Sequence, residues 1–78
     1  MRLKALEALR SLSHAIIAAE ALATQTDQLG AAAHDAGDTE RANTFRQRVR
    51  HHRIRSMVLQ GEFEALKQWY AETYQTVL

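Results

Sequence analysis

The stretch Asp35-Ala36-Gly37-Asp38-Thr39-Glu40 decides the fold. Gly37 suits the left-handed residue that ends an α-helix, because it has no Cβ to strain there. Asp38 suits the cap of a following helix. Glu40 sits well in its first turn, near the positive end of the helix dipole. On both sides of this stretch the apolar residues recur every three or four positions instead of alternating. The pattern predicts one helix from about Leu3 to Ala36 and a second from about Thr39 to Val77. A turn this short returns the chain antiparallel.

Facing residues then have numbers that add to 75. The seam of the second helix reads Ala42, Phe45, Val49, His52, Ser56, Leu59, Phe63, Leu66, Tyr70, Thr73 and Val77. That of the first reads Ala5, Leu9, Leu12, Ile16, Ala19, Ala23, Thr26, Gly30 and Ala33. Leu9 meets Leu66, Leu12 meets Phe63, Ile16 meets Leu59 and Thr26 meets Val49. Gly30 meets Phe45, which gives a mid-helix glycine a purpose: it makes room for a ring. Ala5 meets Tyr70 in the same small-against-large sense. The middle, Ala19 with Ser56 and Ala23 with His52, is thin. Glu20 with Arg53, and Asp27 with Arg46, share one flank of the seam and are expected to pair. Exposed pairs contribute only about 0.2–1 kcal/mol, so they set register more than stability.

Length and composition bound the rest. Seventy-eight residues make a single domain, 1–78. Hydrophobic residues are 46% of the chain, and fourteen of them are alanine, so few side chains can fill a core. The absence of cysteine excludes a disulfide framework and thiolate zinc. No proline and only three glycines argue against a many-turned β sandwich or barrel. A net charge of +1 leaves partners undecided, though it allows local clustering. The start Met1-Arg2-Leu3-Lys4 has the look of a leader, but Glu7 and Glu20 interrupt the apolar run that follows. No stretch is apolar enough to span a bilayer. The expectation is a soluble cytoplasmic protein with neither a cleaved leader nor a membrane association.

Leu29-Gly30, Ala32, Gly37-Asp38 and Ala42 carry a family spacing, with Phe45 and Val49 where its second helix is apolar. On these positions residues 23–52 resemble one tetratricopeptide repeat. Thr26 and Ala33 stand where that family has aromatic residues, and the closing proline and a second copy are missing. Such repeats normally stack in about threes. The resemblance implies hairpin geometry and the binding of peptides or partner proteins. Size and layout are also similar to the small helical-hairpin chaperones of bacterial type III secretion, which tend to be acidic, unlike this chain.

A second apolar set points away from the seam: Leu3, Leu6 and Ile17 on the first helix, and Ile54, Met57, Val58 and Trp69 on the second. Left in water it would form a patch of the kind that marks interaction surfaces. Leu6, Ile17, Ile54, Met57, Val58 and Trp69 are therefore the expected partner-binding residues. A homodimer would bury them in a four-helix bundle; an unlike protein would serve as well. Leu22 and Leu29 are expected along the seam's edge.

Phe45 to Arg55 holds five arginines and two histidines in eleven residues. Alone, this suggests a phosphate-binding helix. On a helix the charges ring the axis. Arg46 and Arg53 face acids, Arg48 and Arg55 lie on the other seam edge beside Leu29 and Leu22, and Arg50 and His51 point outward. A polyanion such as nucleic acid would be held by Arg48, Arg50 and Arg55, which lack acids of their own.

Catalytic patterns are missing. His51 and His52 diverge by about 100° on a helix and do not chelate together. His14 and His34 are the other two histidines, no Glu-x-x-His occurs, and Ser11, Ser13 and Ser56 have no base at useful spacing. Glu62 and Glu64 face different ways. Trp69, Tyr70 and Tyr74 are expected to close the open end near Leu3 and Leu6, with Trp69 alternatively an anchor for a partner. The chain thus reads as an all-α hairpin of two long antiparallel helices, paired into a four-helix bundle. Its expected role is a non-enzymatic adaptor or chaperone-like protein-interaction module without metal or cofactor. The second reading is a nucleic-acid-binding helical dimer.

Overall fold

A computed structural model describes residues 2–75. It holds two helices, α1 (Arg2–Asp35) and α2 (Thr39–Tyr74), folded into an antiparallel hairpin. The turn is built as its sequence demands. Gly37 has φ +76°, the left-handed region. Its N–H donates to the His34 carbonyl at 3.0 Å, and the Asp38 N–H reaches back to the Ala33 carbonyl at 2.9 Å. These two bonds satisfy carbonyls that the end of α1 would leave bare. Asp38 also opens α2: its carboxylate accepts from the Arg41 N–H at 3.1 Å, and its carbonyl accepts the bond from Ala42 at 3.0 Å. One aspartate thus closes one helix and starts the next. At the other end α2 stops at Gln75, whose N–H donates to the Ala71 carbonyl from a left-handed conformation of φ 50°. Val77, the expected end of α2, lies outside the described residues.

The hairpin is a rod of 56 × 16 × 14 Å. Its radius of gyration is 17.2 Å, against about 11–12 Å for a compact globule of this length. Every expected seam position on α1, from Ala5 to Ala33, is buried or half-buried. So is every one on α2 from Ala42 to Tyr70. Thr73 departs from the expectation and is exposed; at its level the Arg2 side chain turns onto Tyr70 and Tyr74 instead. Gly30 meets Phe45 as expected: a Cβ at Gly30 would stand 3.2 Å from the Phe45 Cβ. Close approach of the two backbones therefore depends on the missing side chain.

Among the described residues, the buried apolar side chains larger than alanine are Leu9, Val49 and Tyr70; Ala5, Ala19, Ala23, Ala33 and Ala42 make up the rest. Leu12, Ile16, Leu59, Phe63 and Leu66 reach only half-burial, because two helices can cover a side chain from one side only. Leu22 and Leu29 depart further, at 47% and 54% exposure. They leave the seam flank on a side where no third helix stands. Among the described residues, no helix is long and apolar enough to cross a membrane.

The glycines separate turn chemistry from helix propensity. Gly37→Ala forces a Cβ into the left-handed region and lowers stability by about 1–2 kcal/mol. Gly61→Ala, in α2 with nothing within 4 Å of the new Cβ, raises stability by roughly 0.5–1 kcal/mol. Urea denaturation followed by far-ultraviolet circular dichroism reads both. Shifts of the same sign would contradict this account of the turn.

Candidate interaction surfaces

Each helix turns about 100° per residue, so the buried seam fixes where every other side chain points. The hairpin has two broad faces. One carries Glu20, with Leu6, Ile17 and Asp27 on α1 and Arg46, Arg53, Met57 and Gln60 on α2. The opposite face carries Leu22, with Ala15, Ala18 and Leu29 on α1 and Arg48, Arg55, Val58 and Trp69 on α2. Grooves between the helices confirm the division: Glu20, Arg53, Met57 and Gln60 line one, whereas Ala18, Leu22, His51 and Arg55 line another.

All six expected partner-binding residues are exposed, from Leu6 at 40% to Met57 at 69%. They do not form a single patch. Leu6, Ile17 and Met57 belong to the Glu20 face, Val58 and Trp69 to the Leu22 face, and Ile54 projects from the outer surface of α2. Leu22 and Leu29, expected on the seam edge, join Val58 and Trp69. Sequence reasoning missed this because it sorted residues into seam and non-seam without separating the two flanks; the seven-residue spacing of Leu22 and Leu29 and the eleven-residue spacings of Leu6 with Ile17 and Val58 with Trp69 held the signal.

On the Glu20 face the hydrogen bonds differ from the expected ion pairs. Glu20 Oε1 accepts from Gln60 Nε2 at 3.2 Å and from Ser56 Oγ at 3.4 Å, and Gln60 Nε2 also donates to Ser56 Oγ at 3.0 Å. Arg46 Nη1 donates to Asn43 Oδ1 at 3.5 Å. Glu20 and Arg53 still share one groove, and Asp27 and Arg46 another, but Glu20 and Arg46 bond to neighbouring polar groups instead of to their expected partners. The network ties α1 to α2 where the seam is thinnest, beside Ala19 and Ala23. Thr26, buried in the same seam, satisfies its hydroxyl by donating to the Leu22 carbonyl at 2.7 Å.

The open end is held by a residue the pattern did not single out. Arg2 Nε donates to the Tyr70 hydroxyl at 2.6 Å. Its guanidinium carbon lies 5.7 Å from the centroids of both the Tyr70 and Tyr74 rings, within cation–π range. Tyr70 and Tyr74 meet at a tilt of 52° with centroids 4.8 Å apart, and Trp69 meets Tyr74 edge-on at 6.1 Å. Tyr70 is 1% exposed, whereas Trp69 is 46% exposed. Tyr70 therefore closes the end, and Trp69 leaves nearly half of its surface to solvent.

The basic cluster rings α2. Arg46 and Arg53 lie on the Glu20 face, Arg48 and Arg55 on the Leu22 face, and Arg50 on the side away from Arg48 and Arg55. The guanidinium of Arg48 stands 5.9 Å from the Phe45 ring centroid. Of the three arginines expected to hold a polyanion, Arg48 and Arg55 come together and Arg50 does not. Arg41 extends their row, which the spacing of 41, 48 and 55 could have revealed. His51 and His52 meet edge to face at 5.9 Å. Among the described residues, no three His, Cys, Asp or Glu side chains gather closely enough to hold a metal ion.

The chain matches no family model, no curated protein and no solved structure.

The aromatic end separates a structural ring from an available one. Tyr70→Ala removes a buried ring and the Arg2 acceptor, and should cost about 3–5 kcal/mol. Trp69→Ala should cost clearly less and leave helicity intact. Chemical denaturation of both variants checks the order; a larger loss at Trp69 would assign it to the core.

Proposed function

We propose that the protein is a non-enzymatic protein–protein interaction module, a small adaptor or chaperone-like hairpin whose uncovered faces are closed by further helices in a four-helix bundle. The observation that carries this reading is an imbalance in burial. Nine large apolar side chains stay exposed among the described residues, from Leu3 to Trp69. Large apolar residues on opposite faces of so narrow a rod suit helix-on-helix docking, not a folded-over loop. The resemblance of residues 23–52 to one tetratricopeptide repeat points the same way, since that family binds peptides and partner proteins.

A second reading, a nucleic-acid-binding dimer, is favoured by Arg48 and Arg55 standing together with Arg41 on one face. Against it, Arg50 lies elsewhere, and no aromatic ring stands free among these arginines to stack on a base.

Titration with duplex DNA and with RNA at about 50 mM and about 200 mM salt separates the two. The interaction-module reading expects no tight association at either. Binding that falls by roughly a thousandfold across that range would overturn it. A photoreactive residue in place of Met57 or Val58 should form protein adducts, whereas one in place of Gln47, on the outer surface of α2, should not.

A further inference from the structure

We propose that the partner on the Leu22 face is a second copy of this chain, laid antiparallel so that the two turns lie at opposite ends of a four-helix bundle. The inference rests on the interaction-module reading and names its partner.

The charges of α1 give the first argument. Beyond Lys4, all of its acidic and basic side chains lie on the Glu20 face or the outer surface. From Ala8 to Ala36 the Leu22 face of α1 offers only Ala, Ser, Leu and Gln. A helix that is uncharged on the seam and also on one flank is shaped to be covered from two sides. In the hairpin α2 covers one, and Leu22 and Leu29 remain about half exposed on the other.

Charge and size complementarity identify what covers it. When two hairpins meet through this face with ends flush and turns apart, α1 lies on α1 and α2 on α2. Ala15 then faces Leu22 of the partner subunit, and Ala8 faces Leu29 of the partner subunit, small against large each time. The same superposition on α2 sets Arg41 against Glu72 of the partner subunit and His51 against Glu62 of the partner subunit. Both acids that α2 carries on this face thereby gain a basic neighbour. Lys4 falls near Ala33 of the partner subunit, in the last turn of that α1, where a cation is favoured. Placing both turns at the same end would instead lay each α2 on the uncharged α1 flank of the other copy, so that neither Arg41 nor Glu62 would gain an opposite charge across the interface.

Area agrees. The hairpin exposes 5980 Å², whereas a compact monomer of its mass would expose about 4800 Å². The excess of about 1200 Å² exceeds the roughly 800 Å² per partner that a standard interface removes.

The experiment uses the full chain. Sedimentation equilibrium should show a dimer, and Leu22→Glu should weaken it by roughly a hundredfold by burying an unpaired charge. Ile17→Glu, on the Glu20 face, should leave the dimer unchanged. Arg41→Glu should weaken association, and adding Glu72→Arg should restore it. Because the chain has no cysteine, the double variant Arg41→Cys, Glu72→Cys gives an independent reading even if a charged variant unfolds. Within one hairpin those positions are about 45 Å apart, so oxidation should yield covalent dimers. A monomer at all concentrations overturns the pairing and leaves the face to an unlike protein, so the module reading stands. A dimer broken by Ile17→Glu but not Leu22→Glu, or one giving no covalent product, overturns the pairing as well. Tight nucleic-acid binding in the titration above bears on the module reading alone.

Discussion

A single seam between two helices shields one side of each, and that constraint governs everything else in this molecule. Leu9, Val49 and Tyr70 are withdrawn from water, but Leu12, Ile16, Leu59, Phe63 and Leu66 are only half covered. Burial stabilises in proportion to the apolar area removed, about 25 cal/mol per Å². Half-covered side chains therefore contribute half of what a third or fourth helix could draw from them. Small domains that stand alone usually add disulfides or a metal to make up such a deficit. This chain has no cysteine. Association is the remaining general route, and the exposed leucines, valine and tryptophan of the Leu22 face are where it can act.

Alanine makes the seam possible and keeps it weak. Ala19, Ala23 and Gly30 let the backbones approach, and the 3.2 Å space between a Gly30 Cβ and Phe45 shows how little room is left. Close approach costs volume, however, and the centre of the rod holds no large apolar side chain opposite Ala19 or Ala23. Glu20, Ser56 and Gln60 occupy that level with hydrogen bonds instead. Hydrogen bonds are directional where apolar contact is not. A polar link at the centre, with rings packed at both ends, fixes the longitudinal register of two helices that alanine alone would let slide.

The turn, both helices, the seam positions and the approach of Gly30 to Phe45 were legible in the sequence because each rests on local rules: a left-handed glycine, a capping aspartate, and a spacing near 3.6. What was not legible depends on side-chain reach. Glu20 and Arg53 share a groove, but a short carboxylate beside Ser56 and Gln60 finds nearer donors. Arg2 falls on the seam's 3-4 spacing ahead of Ala5 and Leu9, but it is charged, so a pattern followed through apolar residues passes over it, although its long side chain reaches the Tyr70 hydroxyl. The division of the exposed apolar residues between two faces follows from angle, not from hydrophobicity. A reading that asks only whether a residue leaves the seam loses it.

The same angular argument decides how to weigh the arginines. Five within eleven residues invite a single explanation, yet a helix spreads them over its whole circumference. Those on the Glu20 face sit among acids and amides. Arg48 and Arg55, with Arg41, form a row beside an uncharged stretch of α1, and the acids that complement that row, Glu62 and Glu72, lie on the same face but toward the open end. Segregating charge along one face in this way favours head-to-tail association of like rods over parallel association. A row of arginines that first reads as a nucleic-acid contact is thus also the feature that would give the proposed self-pairing its direction. In the proposed dimer these guanidiniums would flank the contact, where charges steer encounter and orientation more than they add affinity.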